Sequence, residues 1–76
     1  MILDEVKEIL SKQLGISADK IELSSNLAED LGADSLDAID IVMSIEDQYS
    51  IEVPDETIEN MKTVEDIVNF IENNID

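Results

Sequence analysis

Leu31-Gly32-Ala33-Asp34-Ser35-Leu36-Asp37 is the stretch that decides the fold of this chain, because it predicts where the longest helix begins. Gly32 is expected to end the preceding segment, since glycine adopts the left-handed backbone conformation without a Cβ clash. Asp34 is predicted to be the N-cap of a helix that runs from Leu36 to Tyr49. Asp37 follows the cap by three residues, as in a variant of the capping box, and supplies an acid near the free N–H groups of the first turn.

Ser35 follows the predicted cap, and spacing alone leaves two interpretations of it open. If Asp34 is the cap, Ser35 is the first helical residue and its hydroxyl is presented on the surface. If Ser35 caps the helix itself, it needs no other role. Spacing alone favours the second interpretation, because serine is a common cap residue.

The helix from Leu36 to Tyr49 has a wider apolar arc than a stripe that only faces a core. Glu46 lies inside one part of this arc, and an unpaired buried carboxylate would be costly, so we expect that part to be partly exposed. The alternative is that Ile39 and Met43 belong to the core and that Glu46 reaches out to solvent. The face predicted to be buried consists of Ala38, Ile41, Val42, Ile45 and Tyr49. The predicted mixed surface consists of Leu36, Ile39 and Met43 beside Asp37, Asp40, Glu46 and Asp47.

The segments before this helix predict another helix and a long connection. Apolar residues from Leu3 to Leu14 recur at helical spacing, and Gly15 is expected to end that helix. The connection from Ser17 to Asp34 is too long to lack structure in a compact protein, so we expect apolar side chains to hold it on the core. One or two helical turns are expected between Asn26 and Leu31. The apolar residues that recur along this part of the chain are Ile16, Ile21, Leu23, Leu27 and Leu31.

The segments after Tyr49 predict a short helix and then a longer one. Pro54 cannot continue a preceding helix, so Pro54-Asp55-Glu56 is expected to open a short helix that ends near Asn60. Thr63 and Asp66 have the spacing of another capping box. The last helix has an apolar stripe of Val64, Ile67, Val68, Ile71 and Ile75. Since no strand pairing is visible, the sequence predicts an all-α fold, a small four-helix bundle with three long helices, one short helix and a long first connection.

The charge of the chain restricts its partners. The formal net charge is −16, from 20 acidic residues and four lysines, and no basic residue lies between Ile21 and Met61. Nothing there can neutralise phosphates, so direct binding to nucleic acid or to anionic membranes is not expected. The expected partners are proteins with basic patches. The alternative is that the acids only keep the protein in solution.

Several kinds of catalytic and metal site are excluded by composition. Without histidine a Ser-His-Asp arrangement cannot form, and without cysteine there is neither a disulfide nor a zinc-thiolate site. The acids do not match the EF-hand pattern, and a small bundle offers no cleft for a glycosidase. We therefore expect no catalytic residues and no metal site. Met1-Ile2-Leu3 runs directly into Asp4-Glu5, so we expect neither a signal peptide nor a transmembrane helix, and a cytoplasmic location fits.

The stretch from Leu31 to Leu36 resembles the modification site of acyl carrier proteins. The resemblance covers essentially the whole chain, and its context looks most like the stand-alone, fatty-acid-synthesis type. Two positions depart from the usual pattern, because Ala38 stands where threonine is common and Asp40 where glutamate is common. The resemblance is also carried by Asp37-Ala38-Ile39-Asp40-Ile41-Val42-Met43 and by Ile51-Glu52-Val53-Pro54-Asp55-Glu56.

The resemblance implies a carrier function without catalysis. Ser35, flanked by Asp34 and Leu36, would accept phosphopantetheine from coenzyme A, and the arm would carry acyl chains as thioesters between enzymes of fatty acid biosynthesis. The implied partners are a phosphopantetheinyl transferase and fatty acid synthesis enzymes with basic docking patches. The implied partner surface consists of Asp37, Ile39, Asp40, Met43, Glu46 and Asp47. We expect a monomer with a single acyl carrier domain over residues 1–76.

Other functions compatible with the sequence remain open. The same carrier chemistry can serve polyketide, peptidyl or D-alanyl cargo, and sequence does not decide among them. An acidic protein-interaction module would need the charge and the fold but no free Ser35. A small hydrolase is a further alternative, although Ser35 has no base to activate it.

Overall fold

The computed structural model describes residues 2–75, which form four α-helices. They are α1 (Ile2–Leu14), α2 (Ser35–Tyr49), α3 (Asp55–Asn60) and α4 (Val64–Asn74). A short 3₁₀ turn lies at Ala18–Lys20. No strand is found within residues 2–75, where the β-type pairing is an isolated bridge between Asn26 and Thr63. The predicted all-α bundle of three long helices and one short helix is confirmed.

The core lies between α1, α2 and α4, the three long helices. α1 and α2 are antiparallel, because Glu5 near the start of α1 meets Tyr49 at the end of α2, while Gln13 near the end of α1 meets Asp40. The Tyr49 hydroxyl and the Gln48 amide both donate hydrogen bonds to the Glu5 carboxylate. The buried apolar residues of this core are Val6, Leu10, Ile21, Leu27, Ile41, Ile45, Val64, Ile67, Val68 and Ile71.

The long connection is held against the start of α4 by backbone hydrogen bonds. The Leu27 N–H donates to the Lys62 carbonyl at 2.9 Å, and the Val64 N–H donates to the Ser25 carbonyl at 3.1 Å. Ile21 and Leu27 are buried, as expected for residues that hold the connection on the core, whereas Leu23 is exposed and the expectation is wrong for it. These bonds bring the connection, the start of α4 and the start of α2 to one end of the bundle.

The helical turns expected between Asn26 and Leu31 are reduced to a hydrogen-bonded turn. The N–H groups of Asp30 and Leu31 both donate to the Asn26 carbonyl, so the bonding does not advance along the chain as it does in a helix. Gly32 then adopts a φ of +73°, which directs the chain away from the helical path. The sequence did not indicate the 3₁₀ turn at Ala18–Lys20, whose cap is the Ser17 hydroxyl.

Candidate functional site

The start of α2 has a complete capping box built from two aspartates. The Asp34 carboxylate accepts the Asp37 N–H at 2.9 Å, and the Asp37 carboxylate accepts the Asp34 N–H at 3.2 Å. Asp34 has extended backbone angles, so it is the N-cap, and the helix begins at Ser35. The prediction that Asp34 caps the helix is confirmed, and of the two interpretations of Ser35 the structure supports the one that leaves its hydroxyl free of the cap.

Ser35 is exposed at the rim of an open groove beside the helix start. The groove has a volume of about 510 Å³ and runs between the start of α2 and the connection that precedes α4. Lys62 also lines this groove, and Ala38 lies on its wall one turn after Ser35. The other lining residues are Asn26, Leu27, Ala28, Glu29, Ala33, Asp34 and Met61. A long group attached to Ser35 would therefore have a surface to lie against.

A narrow apolar cleft lies beneath this groove, among α2, α3 and α4. Its volume is about 20 Å³, which is little more than the space for one water-sized sphere. Ala38 lines both the groove and the cleft, so the two are neighbours. The remaining residues of the cleft are Leu27, Ala33, Ile41, Val42, Ile58, Met61 and Ile67. In the conformation described here, the cleft is closed.

The Ser35 hydroxyl lacks the partners of a catalytic serine. The chain contains no histidine, and the two acidic side chains nearest in sequence are engaged in the capping box. A serine hydroxyl is a weak nucleophile unless a neighbouring base activates it. Among the described residues, Ser35 therefore has no histidine to activate it, and the acids beside it are engaged in the cap.

The apolar side chains predicted to be partly exposed on α2 are exposed. Leu36 retains 72% of its accessible surface, Ile39 retains 49% and Met43 retains 57%. Ile41, Val42 and Ile45 are buried on the opposite face, as predicted, whereas Ala38 and Tyr49 are half-buried. The alternative that places Ile39 and Met43 in the core is wrong.

The acids of the predicted partner surface divide into two kinds. Asp40 and Asp47 are exposed, whereas Asp37 and Glu46 are half-buried and each accepts a backbone N–H. Asp37 serves the cap of α2. The sequence predicts all four acids to be exposed, which is wrong for Asp37 and Glu46, because these two carboxylates also stabilise the local fold.

Glu46 stabilises the connection between α2 and α3 through hydrogen bonds. Its carboxylate accepts the Val53 N–H at 2.8 Å, and its backbone carbonyl accepts the Ser50 N–H at the end of α2. Val53 is buried, so its N–H is satisfied away from water by this carboxylate. The sequence placed Glu46 beside exposed apolar residues but contained no signal for this bond, which spans an irregular segment.

A hydrogen bond between α1 and α2 involves Gln13, which the sequence did not single out as a site residue. The Gln13 side-chain amide donates to the Asp40 carboxylate at 3.3 Å. No sequence pattern relates these two residues, because they are separated by the whole first connection. Gln13 therefore borders the predicted partner surface.

The shifted pKa values lie away from Ser35. Partial burial, together with the hydrogen bond to Glu5 and its charge, raises the pKa of Tyr49 to about 12, and the Tyr49 hydroxyl in turn lowers the pKa of Glu5. The backbone N–H groups of Lys62 and Thr63 lower the pKa of Asp66, which closes the capping box of α4. These groups stabilise helix contacts and a helix start.

Residues 2–75 show neither a cluster of metal ligands nor a membrane-spanning helix. No group of three or more acidic residues is arranged to hold a metal ion in this part of the chain. None of the helices between residues 2 and 75 is both long and apolar enough to cross a membrane.

Comparisons with known proteins identify the family of this chain. Residues 4–71 match the family described as "Phosphopantetheine attachment site". The acyl carrier protein of Campylobacter lari is 43% identical over 95% of this chain and 94% of its own length. The acyl carrier protein of Clostridium acetobutylicum is 45% identical over 93% of this chain and 92% of its own. The acyl carrier protein of Wolinella succinogenes is 44% identical over 96% of each. The chain therefore belongs to the acyl carrier protein family, whose members have a phosphopantetheine attachment site.

Proposed function

We propose that this chain carries acyl groups as thioesters on a phosphopantetheine arm attached to Ser35, and that it passes them between enzymes of fatty acid biosynthesis. The observation that carries the proposal is that two aspartates, and not Ser35, cap the start of α2. Asp34 and Asp37 complete the cap, so the exposed Ser35 hydroxyl is free for covalent attachment. Family membership supports the same arm and the same cargo class.

The residues around Ser35 fit a phosphodiester at this position. The first N–H groups of an α-helix have no intrahelical partner, and the helix dipole favours negative charge there by about 0.3–1 kcal/mol. Lys62, one of the four cationic residues of the chain, lines the same groove. When bound, the arm supplies a thiol, which this cysteine-free chain lacks.

The attachment step needs a partner enzyme. A phosphopantetheinyl transferase would activate the Ser35 hydroxyl, whose oxygen would form the new bond to the phosphorus nearer the pantetheine in coenzyme A. The bond to the other phosphate would break, and adenosine 3′,5′-bisphosphate would leave. The chain itself catalyses neither this step nor the later acyl transfers, because Ser35 has no neighbouring base.

The surface beside Ser35 supports docking by proteins with basic patches. Leu36, Ile39 and Met43 form a small exposed apolar patch, with Asp40 and Asp47 as exposed acids close to it in the helix. Charge speeds and orients an encounter, whereas a small apolar patch adds contact area without permanent binding. We call these five residues, together with the half-buried Asp37 and Glu46, the docking surface.

The apolar cleft beneath the groove supports the proposal that the bundle shelters an acyl chain from water. Its walls are apolar, but its volume of about 20 Å³ is too small for an acyl chain, so entry would require α3 to move. No residue of α3 is buried, and this helix has six residues, so it is the wall with the least packing to lose. The arm and its cargo would thus approach the core from the groove beside Ser35.

The monomeric state and the cytoplasmic location of the protein remain predictions.

Intact-mass spectrometry tests the attachment. The protein is incubated with coenzyme A and a broad-specificity phosphopantetheinyl transferase and then weighed. We expect one phosphopantetheine on the wild type and none on Ser35→Ala, which should still fold. Ser44→Ala, at another exposed serine of α2, is the matched control and should accept one arm. No mass gain on the wild type would contradict the proposal and favour an interaction module.

A further inference from the structure

Gln13 connects the end of α1 to the middle of the docking surface. Its side-chain Nε2 donates a hydrogen bond to Oδ2 of Asp40 at 3.3 Å. Asp40 is exposed and is flanked in α2 by the exposed Ile39, whereas Gln13 is half-buried. The bond therefore joins the supporting helix to an acid that faces solvent.

Both ends of this hydrogen bond are carried by well-anchored backbone. Val6 and Leu10 fix α1 in the core with no exposed surface, and Ile41, which follows Asp40, is buried as well. Gly15, with a φ of +68°, ends α1 two residues after Gln13, and its N–H donates to the carbonyl of Ser11. Because the two helices are held by the core, Gln13 and Asp40 meet at a set distance and their side chains restrict each other.

The hydrogen bond from Gln13 leaves acceptor positions of the Asp40 carboxylate available to a partner. An ionised carboxylate has about four acceptor positions, and the Gln13 amide occupies one of them. The donor is neutral, so it orients the carboxylate without cancelling its charge. Glu46 differs, because its carboxylate is engaged with a buried backbone N–H of the next connection. Asp40 is thus an acid of the docking surface that is exposed, charged and oriented at the same time.

We propose that Gln13 is a positioning residue of the docking surface, which holds the Asp40 carboxylate in the orientation that receives a cationic side chain of a partner protein. The proposal rests on the docking surface of the proposed function and extends it from α2 onto α1. A side chain already restricted before binding loses less conformational entropy when the partner docks. Loss of one exposed hydrogen bond of this kind should weaken docking by about two- to threefold.

The chain offers a matched control at the other end of the same two helices. The Gln48 amide donates to the Glu5 carboxylate at 3.1 Å, so it also joins α1 and α2 through an exposed amide and a carboxylate. Gln48 lies near the end of α2, far along the helix from Ser35. Gln48→Met therefore removes a similar interhelical bond without touching the proposed docking surface.

Steady-state kinetics with a phosphopantetheinyl transferase and coenzyme A test the proposal. We expect Gln13→Met to raise the KM for the carrier about two- to threefold with kcat unchanged, and Gln48→Met to leave both constants unchanged. Asp40→Asn should raise KM at least as much as Gln13→Met. In the Asp40→Asn background, Gln13→Met should have no further effect, because the group that Gln13 positions has lost its charge.

Gln13→Lys separates positioning from simple support of the fold. A lysine can still hold the Asp40 carboxylate, so a purely structural role would be preserved. It also neutralises the charge offered to the partner, so we expect KM to rise and its dependence on salt concentration to weaken. Unchanged kinetics for Gln13→Lys would overturn the proposal.

The experiment distinguishes failure of this proposal from failure of the proposed function. If Asp40→Asn raises KM while Gln13→Met matches Gln48→Met, the positioning role is wrong and the docking surface stands. If Asp40→Asn leaves KM unchanged, both the docking role of Asp40 and the role of Gln13 are wrong. Failure of the carrier function would appear earlier, as a wild-type protein that gains no arm.

Discussion

Removal of the Asp34 side chain tests whether Asp34, rather than Ser35, caps α2. Asp34→Ala deletes the carboxylate that accepts the Asp37 N–H at 2.9 Å, but it keeps the Asp34 backbone N–H that donates to the Asp37 carboxylate in the reciprocal bond. Loss of such a cap lowers the free energy of unfolding by about 1 kcal/mol, within a range of about 0.5–2. For a domain of this size, about 1 kcal/mol corresponds to a fall in Tm of about 4–8 °C.

Ser35→Ala is the decisive comparison for this prediction. The Ser35 hydroxyl takes part in neither bond of the capping box, and alanine favours the helix, so the change in unfolding free energy should stay within about 0.5 kcal/mol. Asp34→Asn removes the charge but keeps an acceptor, so it should cost less than Asp34→Ala. Thr63→Ala disrupts the equivalent box of α4 and should resemble Asp34→Ala.

Urea unfolding followed by circular dichroism at 222 nm measures these differences. The expected order of destabilisation is Asp34→Ala first, then Asp34→Asn, with Ser35→Ala close to the wild type. If Ser35→Ala destabilised the protein as much as Asp34→Ala, Ser35 would be the cap. The interpretation of its hydroxyl as free for modification would then be refuted.

Three further predictions follow from the contacts of single carboxylates. Glu46→Ala removes the acceptor for a buried N–H and should lower the free energy of unfolding by about 1–3 kcal/mol. Asp47→Ala, at the exposed neighbour, should change it by less than about 0.5 kcal/mol, and equal effects of the two variants in urea unfolding would contradict the stabilising role of the bond from Val53 to Glu46. The pKa of Asp66 in the folded protein is lowered below its ordinary value of 3.8, so the unfolded chain binds this proton at a higher pH than the folded protein does. The stability that the Asp66 carboxylate contributes is therefore lost as the pH falls through the folded-state pKa. Asp66→Asn should therefore flatten the acid limb of the stability–pH curve, and an unaltered slope would contradict the cause assigned to the shift. Asp40→Lys should raise a transferase's KM for the carrier, with a smaller effect at high salt because exposed charges are screened. Glu72→Lys on α4 makes the same charge change away from the docking surface, and an equal rise in KM would mean that net charge alone matters.

The features that sequence predicted well depend on residues close together in the chain. The capping boxes of α2 and α4 each join residues three positions apart, so Asp34 with Asp37 and Thr63 with Asp66 could be recognised from spacing. The exposed position of Met43 followed from helical periodicity and from the cost of burying Glu46 beside it. Ser35 was singled out by family resemblance, because spacing alone favoured it as a cap.

The features that sequence missed depend on tertiary placement. The bond from Gln13 to Asp40 forms because the core sets α1 antiparallel to α2, a relation that the long connection leaves undecided. The bond from Val53 to Glu46 depends on the path of an irregular segment after α2. The recurring apolar residues suggested helical turns after Asn26, but the Leu27 N–H bonds to the distant Lys62 carbonyl and the region forms a turn instead.

Locating the arm on the chain tests the central claim most directly. The protein is treated with coenzyme A and the transferase, digested with a protease, and its peptides are fragmented in a mass spectrometer. The account predicts one phosphopantetheine on the Ser35 oxygen of the peptide that contains Asp34 and Leu36. An arm on any other residue, or a wild-type protein without an arm, would contradict the claim that the free hydroxyl at the start of α2 is the carrier site.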